Sequence, residues 1–200
     1  MPNTYGDAAT IKQRAGLAYT DLGLANSGAL DALVAGLQQR VTDAVERYCR
    51  RDFTQHAAVT ELYDGKNYDT LNLRGYPVIS ITSVTVNNVL QDAATYRLKP
   101  TPNGGDDAGL LQRKNMVWQR GWANISIVYT WGYASVPLVV QGVVEDVAVR
   151  VLLDAARAYK TKGAMSIGMD GFESSWEKLS VKLDDIDKVA LDPLRSMIVT

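Results

Sequence analysis

One cysteine and one histidine, Cys49 and His56, are all the thiol and imidazole this chain of 200 residues possesses. Nucleophilic use would require the two in hydrogen-bond contact, with a third group to orient the base. Cys49 sits beside the apolar positions of a helical pattern, and His56 falls in the connection beyond it. A buried structural cysteine and a surface histidine are therefore expected. A single cysteine also excludes an internal disulfide and any multi-cysteine zinc site. Gly104, Gly105, Asp106, Asp107, Ala108 and Gly109 suggest a phosphate loop by their glycines alone. No Gly-Lys-Ser/Thr ending follows them, and two adjacent aspartates would repel phosphate, so a polar loop tip is the expectation. Asp184, Asp185 and Asp187 lack the spacing of a calcium loop and read as acids in the first turn of a helix. These residues assemble no nucleophile, base and acid set, so neither catalysis nor a cofactor or metal is expected.

Aromatic residues offer a second kind of chemistry. Trp118, Trp122, Tyr129, Trp131 and Tyr133 lie close in sequence to Arg113, Lys114 and Arg120. Interleaved bases and aromatics can stack single-stranded nucleic acid. Aromatic residues also pack across strand pairs, and Trp, Tyr and Arg are enriched where protein surfaces meet. Packing and subunit contact are the expected uses here.

The elements that must position these groups follow from periodicity. Residues 1–26 are small and polar with one short helical stretch, and read as an arm. Helix 28–50 follows, with Ser27 as N-cap and Leu30, Leu33, Val34, Leu37, Val41, Val45 and Tyr48 at three- and four-residue spacing. From about 57 to 131 the pattern turns to strands and turns. Ile79, Ile81, Val84 and Val86 alternate with one slip that a bulge would explain, and Asn87-Asn88 reads as a turn. Val136-Pro137 opens a long helix, 137–162, with Gly163 just past its end. Its apolar surface is wider than the ~100° stripe that faces one core, which predicts more than one packing partner. Residues 164–200 read as a C-terminal arm with a strand in SWEKLSVKL and a short helix from Asp184, and carry seven acids against four bases, a net of −3. The predicted fold is α+β: a helical core with a β-rich insertion and two arms.

Composition narrows the class. The formal charge of −1 argues against a tightly gripped nucleic acid, and 46% hydrophobic content suffices for one soluble core. No apolar run approaches ~18–20 residues, so no membrane span is expected, and the amino terminus shows no basic-then-apolar signal pattern. Synthesis in a reducing cytoplasm is the expectation.

The helix end ERYCRRDF, then TELYDG, LNLRGYPVISITSVTVNN, and NISIVYTWGYASVP leading into a long helix, stand in an order that resembles the head–tail connector (adaptor) family of tailed phages. The likeness extends over roughly 28–163, and LDPLR resembles the family's terminal segment. It implies a helical core bearing a β-rich insertion and a dodecameric homo-oligomeric ring in the virion neck, assembled after synthesis in the host cytoplasm. Such a ring docks on the portal protein, extends the DNA channel and receives a stopper or tail-completion protein. Genomic DNA would pass through it without sequence specificity.

Candidate contact residues follow from these two readings. Subunit packing is assigned to Leu138 and Val149 on the long helix and to Trp118, Trp122 and Trp131 in the β-rich segment. Portal docking is assigned to Trp176, Leu191, Leu194 and Arg195 of the C-terminal arm. The rival readings are another neck component, such as a stopper or tail-completion protein, and a small nucleic-acid-binding module using the aromatic and basic hairpin.

Overall fold

The computed structural model describes residues 3–99, 109–162 and 181–195. The fold is α+β and divides into two units. Met1–Asp52 and Val136–Thr200 make the first, and Phe53–Ser135 the second.

In the first unit, α1 (Ala8–Ala15) starts on Asp7, whose carboxylate accepts the amides of Ala9 and Thr10, and stops at the left-handed Gly16. A 3-10 turn, Tyr19–Leu22, ends at Gly23, where φ is 68° and a Cβ would lie 2.4 Å from the Tyr159 ring, so only glycine fits. Helix α2 (Ser27–Cys49) is capped by Asn26 rather than by Ser27: the Asn26 side chain accepts the Ala29 amide at 2.9 Å. Its buried face is Leu30, Val34, Leu37, Val41, Val45 and Cys49, while Leu33 and Tyr48 of the expected stripe are half-buried. Two polar residues interrupt that face with a purpose. Gln38 donates to the carbonyls of Tyr5 and Gly6, both at 2.8 Å, and the Thr42 hydroxyl accepts the Tyr5 amide at 3.1 Å.

The first residues, expected as an arm, are thereby fastened along α2. Tyr5, Ile11 and Leu22 are buried in the unit. Helix α3 (Leu138–Lys162) packs against α1, α2, the 3-10 turn and α4 (Asp185–Leu191), while Leu138 and Val139 at its start stay exposed. Helix α4 begins in a capping box in which the Asp187 carboxylate accepts the Asp184 amide at 2.8 Å. Arg150 of α3 grips both acids, Asp187 at 2.7 Å and Asp184 in closer contact still, and Leu191 is fully buried beneath. The described part of the C-terminal segment is thus built into this unit. Of the strand expected in SWEKLSVKL, residues 175–180 lie outside the described residues and Val181–Leu183 form none; residues 104–108 of the expected loop and the helix stop at Gly163 also lie outside them.

The second unit is two antiparallel sheets around one core. The larger runs β1 (His56–Gly65), β7 (Gly121–Trp131), β3 (Val78–Val86) and β4 (Val89–Leu90); the smaller runs β2 (Thr70–Asn72), β6 (Leu110–Arg113) and β5 (Tyr96–Leu98). Tyr63, Val84, Val86, Ile125, Ile127 and Tyr129 of the larger sheet share a buried cluster with Leu111, Tyr96 and Trp118. The slip in β3 is a register shift against β7 between Ile81 and Ser83, which restores Val84 and Val86 to the core face. Asn87 and Asn88 take φ of 50° and 63°, the left-handed pair that a two-residue hairpin requires.

Candidate functional site

Cys49 belongs to the first unit and His56 to the second. Burial pushes the Cys49 thiol up to about 11, although Arg51 and Arg195 pull the other way. It stays a thiol at neutral pH and is no nucleophile. His56 lies face to face with Trp131, with ring centroids 4.0 Å apart. Among the described residues no three His, Cys, Asp or Glu side chains converge as metal ligands. No helix among them is long and apolar enough to cross a membrane.

The densest polar cluster is one the sequence reading missed. Glu61 accepts from the Tyr129 hydroxyl at 2.9 Å and, in a shorter contact, from Tyr63. Those hydroxyls accept the backbone amides of Arg74 and Gly75, each at 3.0 Å. Burial is the largest cause raising both phenols above their ordinary value. The available signal was alternation: Glu61 and Tyr63 fall on the same face of β1 as Val59, which places an acid on a core face. With both phenols on one oxygen of Glu61, Oε2, and the Arg74 and Gly75 amides on the phenols, the cluster fastens the 73–77 loop.

The residues expected at surfaces divide sharply by exposure. Trp118 is 1% exposed, with its indole N–H on the Leu111 carbonyl at 3.3 Å, so it belongs to the core of the β-rich unit and not to a surface. Trp131 is half-buried on the same core. Trp122 is 89% exposed. It stands beside Ala123, a non-glycine residue held at φ 45° while its amide donates to the Asp64 carboxylate at 2.6 Å. A bulge pinned in a left-handed conformation fixes the direction of the indole and leaves it in solvent. The stacking platform envisaged for single-stranded bases is not assembled, because Trp118 and Tyr129 are both buried.

On α3, Leu138 is 83% exposed and Val149 half-buried. In the C-terminal segment Leu191 is buried, Leu194 half-buried and Arg195 exposed, its guanidinium 5.2 Å from the Tyr48 ring centre. Trp176 lies outside the described residues. The apolar side chains that α4 presents to solvent are instead Ile186 and Val189. Their three-residue spacing puts them on the face opposite Asp187 and Leu191.

The chain is similar to a protein from the neck of an empty gene transfer agent particle computed with C6 symmetry, at 18% identity over all of this chain and 97% of the other, with a TM-score of 0.52. It is also similar to a chain from the neck of the native particle computed with C12 symmetry, at 13% identity over all of this chain and 97% of that one, with a TM-score of 0.46. A third likeness, to a chain of the native gene transfer agent virion, has 16% identity, covers 89% of this chain and 91% of the other, and has a TM-score of 0.46. The first likeness is one of fold. None of the curated proteins matches the chain. The family model described as head completion protein matches residues 17–150, which spans α2, the whole β-rich unit and half of α3. The chain belongs to the head completion protein family.

Proposed function

We propose that this protein is a structural, non-enzymatic head–tail connector (adaptor) subunit in the virion neck, made in the host cytoplasm. It assembles as a homo-oligomeric ring, docks on the portal protein, extends the DNA channel and receives a stopper or tail-completion protein. The observation that carries this reading is the family match over 17–150, which takes in most of the helical framework and the β-rich insertion together. A ring of identical subunits needs two different complementary patches on each copy, because a head-to-tail contact closes only when one patch meets the other. Trp122 of the β-rich unit is one such contact point, and Leu138 with Val139 at the start of α3 is another. Ile186, Val189, Leu194 and Arg195 are the docking surface for the portal. Each contact is weak, and symmetry multiplies it. Genomic DNA passes through the ring without sequence-specific contacts.

The test is co-assembly. Purified chain is mixed with assembled portal and, separately, with tail tube, then imaged by electron microscopy and pulled down. Rings seated on portal are expected. Binding to tail tube alone would make the chain a stopper or tail-completion protein instead.

A further inference from the structure

Exposed apolar residues gather at one end of the β-rich unit. It is the end where β1 and β3 finish and β7 begins, opposite the pair of His56 and Trp131. Tyr68, Val89, Leu90, Met116, Val117 and Trp122 stand in its loops and short hairpin and are 43% to 89% exposed.

Hydrogen bonds brace these loops against one another. The Asn67 amide donates to the Trp118 carbonyl and the Trp118 amide to the Tyr68 carbonyl, both at 2.8 Å. The Asn87 amide donates to the Asn124 carbonyl at 2.8 Å, and the Asn124 side chain donates to the Gln119 carbonyl at 3.0 Å. Arg113, buried on the core face of β6 with Leu111, ties in the rest. One of its terminal nitrogens donates to the Val117 carbonyl at 3.3 Å and the other to the Gln91 side chain. The Gln91 amide in turn donates to the Val89 carbonyl at 2.8 Å. The apolar residues are thus carried on a frame set before anything meets it, which lowers the entropy cost of a contact.

Side chains of these sizes and exposures leave on the order of 600 Å² in solvent. That is the upper end of the ~300–600 Å² of a typical monomer's largest apolar patch, and most of the ~800 Å² that each partner gives to a specific interface. Trp, Tyr and Met are enriched where proteins meet, and all three are present. A head-to-tail ring also needs the complementary patch on the same chain. Leu138 and Val139, exposed at the start of α3, supply it from the other unit.

We propose that this end of the β-rich unit receives Leu138 and Val139 of a second copy of the chain, head to tail. The proposal deepens the neck reading, on which the closed ring rests, by naming the two surfaces that meet.

The test uses the full chain, free and on assembled portal. Leu90→Ser with Val117→Ser, and separately Leu138→Ser with Val139→Ser, should leave the urea midpoint unchanged. Each pair should raise the concentration for half-assembly about tenfold or more, read by sedimentation. Mixed one to one, the two double variants should form dimers and nothing larger, because only one intact contact remains between them. In a Cys49→Ala background, Leu90→Cys with Leu138→Cys should be carried by a short bis-maleimide into a ladder of dimers, trimers and higher species. A dimer from Leu90→Cys alone would mean that the patch meets itself, and would overturn the head-to-tail contact. Unchanged assembly in both double variants overturns the proposal. So does loss of seating on portal with self-association intact, which gives the patch to another neck protein. Rings that seat on portal without a crosslinked ladder sink this contact and leave the neck reading intact; a ladder from a chain that never joins portal does the reverse.

Discussion

Tyr129 donates its hydroxyl to Glu61 at 2.9 Å and at the same time accepts the Gly75 amide at 3.0 Å, so one phenol joins a strand, an acid and a loop. Removing it leaves the Gly75 amide without its acceptor and takes from Glu61 one of its two phenol donors. Tyr129→Phe should therefore destabilise the protein by roughly 1–3 kcal/mol, more than the worth of one hydrogen bond between exposed groups. Tyr63→Phe should cost a similar amount through the Arg74 amide. The double variant should lose less than the sum, because both phenols serve one carboxylate. Urea unfolding of the four proteins measures this, and strict additivity would mean that the two phenols act independently.

Asp187 and Leu191 bear on where the folded core ends. Asp187 is 3% exposed, caps α4 and accepts from Arg150, and Leu191 is fully buried. Deleting 164–200 removes both, and the buried leucine alone is worth about 2–5 kcal/mol. The truncated chain should melt well below the full chain. Leu191→Ala in the full chain should reproduce much of that loss. A truncated protein with an unchanged urea midpoint would show that α4 contributes nothing to the first unit.

The Cys49 thiol gives a pH signature. Burial is the largest cause raising it to about 11 from an ordinary value of 9.0. The folded protein keeps a proton that the unfolded chain releases near pH 9, so this stabilisation is complete below that pH. It is lost as the pH rises through about 11. Cys49→Ala lacks the dependence. Unfolding curves for the two proteins should converge or cross between pH 9 and 11, relative to their separation at pH 8. A constant separation would mean that the thiol ionises freely within the fold.

The readable and unreadable parts of this fold differ in what holds them. Helix α2 and the strands β3 and β7 bury side chains at regular spacing, and their elements follow from the sequence directly. The first residues do not. Tyr5, Ile11 and Leu22 are sparse anchors, and their fastening runs through Gln38 and Thr42, polar residues on the core face of α2 that hydrophobic patterning counts as breaks. The width of the apolar surface on α3 was legible, but its explanation lies in four packing partners within the unit. Helix α4 is too short for its phase to be fixed by pattern, so the sequence offers Leu191 as a contact residue, whereas Leu191 is buried and Ile186 and Val189 face solvent. The tryptophans were hardest, because Trp118 lies in an irregular stretch where no period assigns an inside and an outside.

Trp122 and Trp118 separate contact from core in one experiment. They are four residues apart, yet one is 89% exposed and the other 1%. Trp118→Ala empties a packed site and should cost about 3–5 kcal/mol, with loss of assembly following from loss of fold. Trp122→Ala touches a solvated indole and should change stability by no more than about 0.5 kcal/mol. If Trp122 anchors a neighbouring subunit, its removal should nevertheless cost the interface about 2 kcal/mol or more, the range of a central aromatic contact. That is a loss of roughly thirtyfold in affinity per contact, repeated around the ring. Sedimentation of the purified variants reads assembly, and urea unfolding reads stability. A Trp122→Ala protein that assembles as the wild type does would remove this residue from the interface and shift the β-rich unit's contact to another surface.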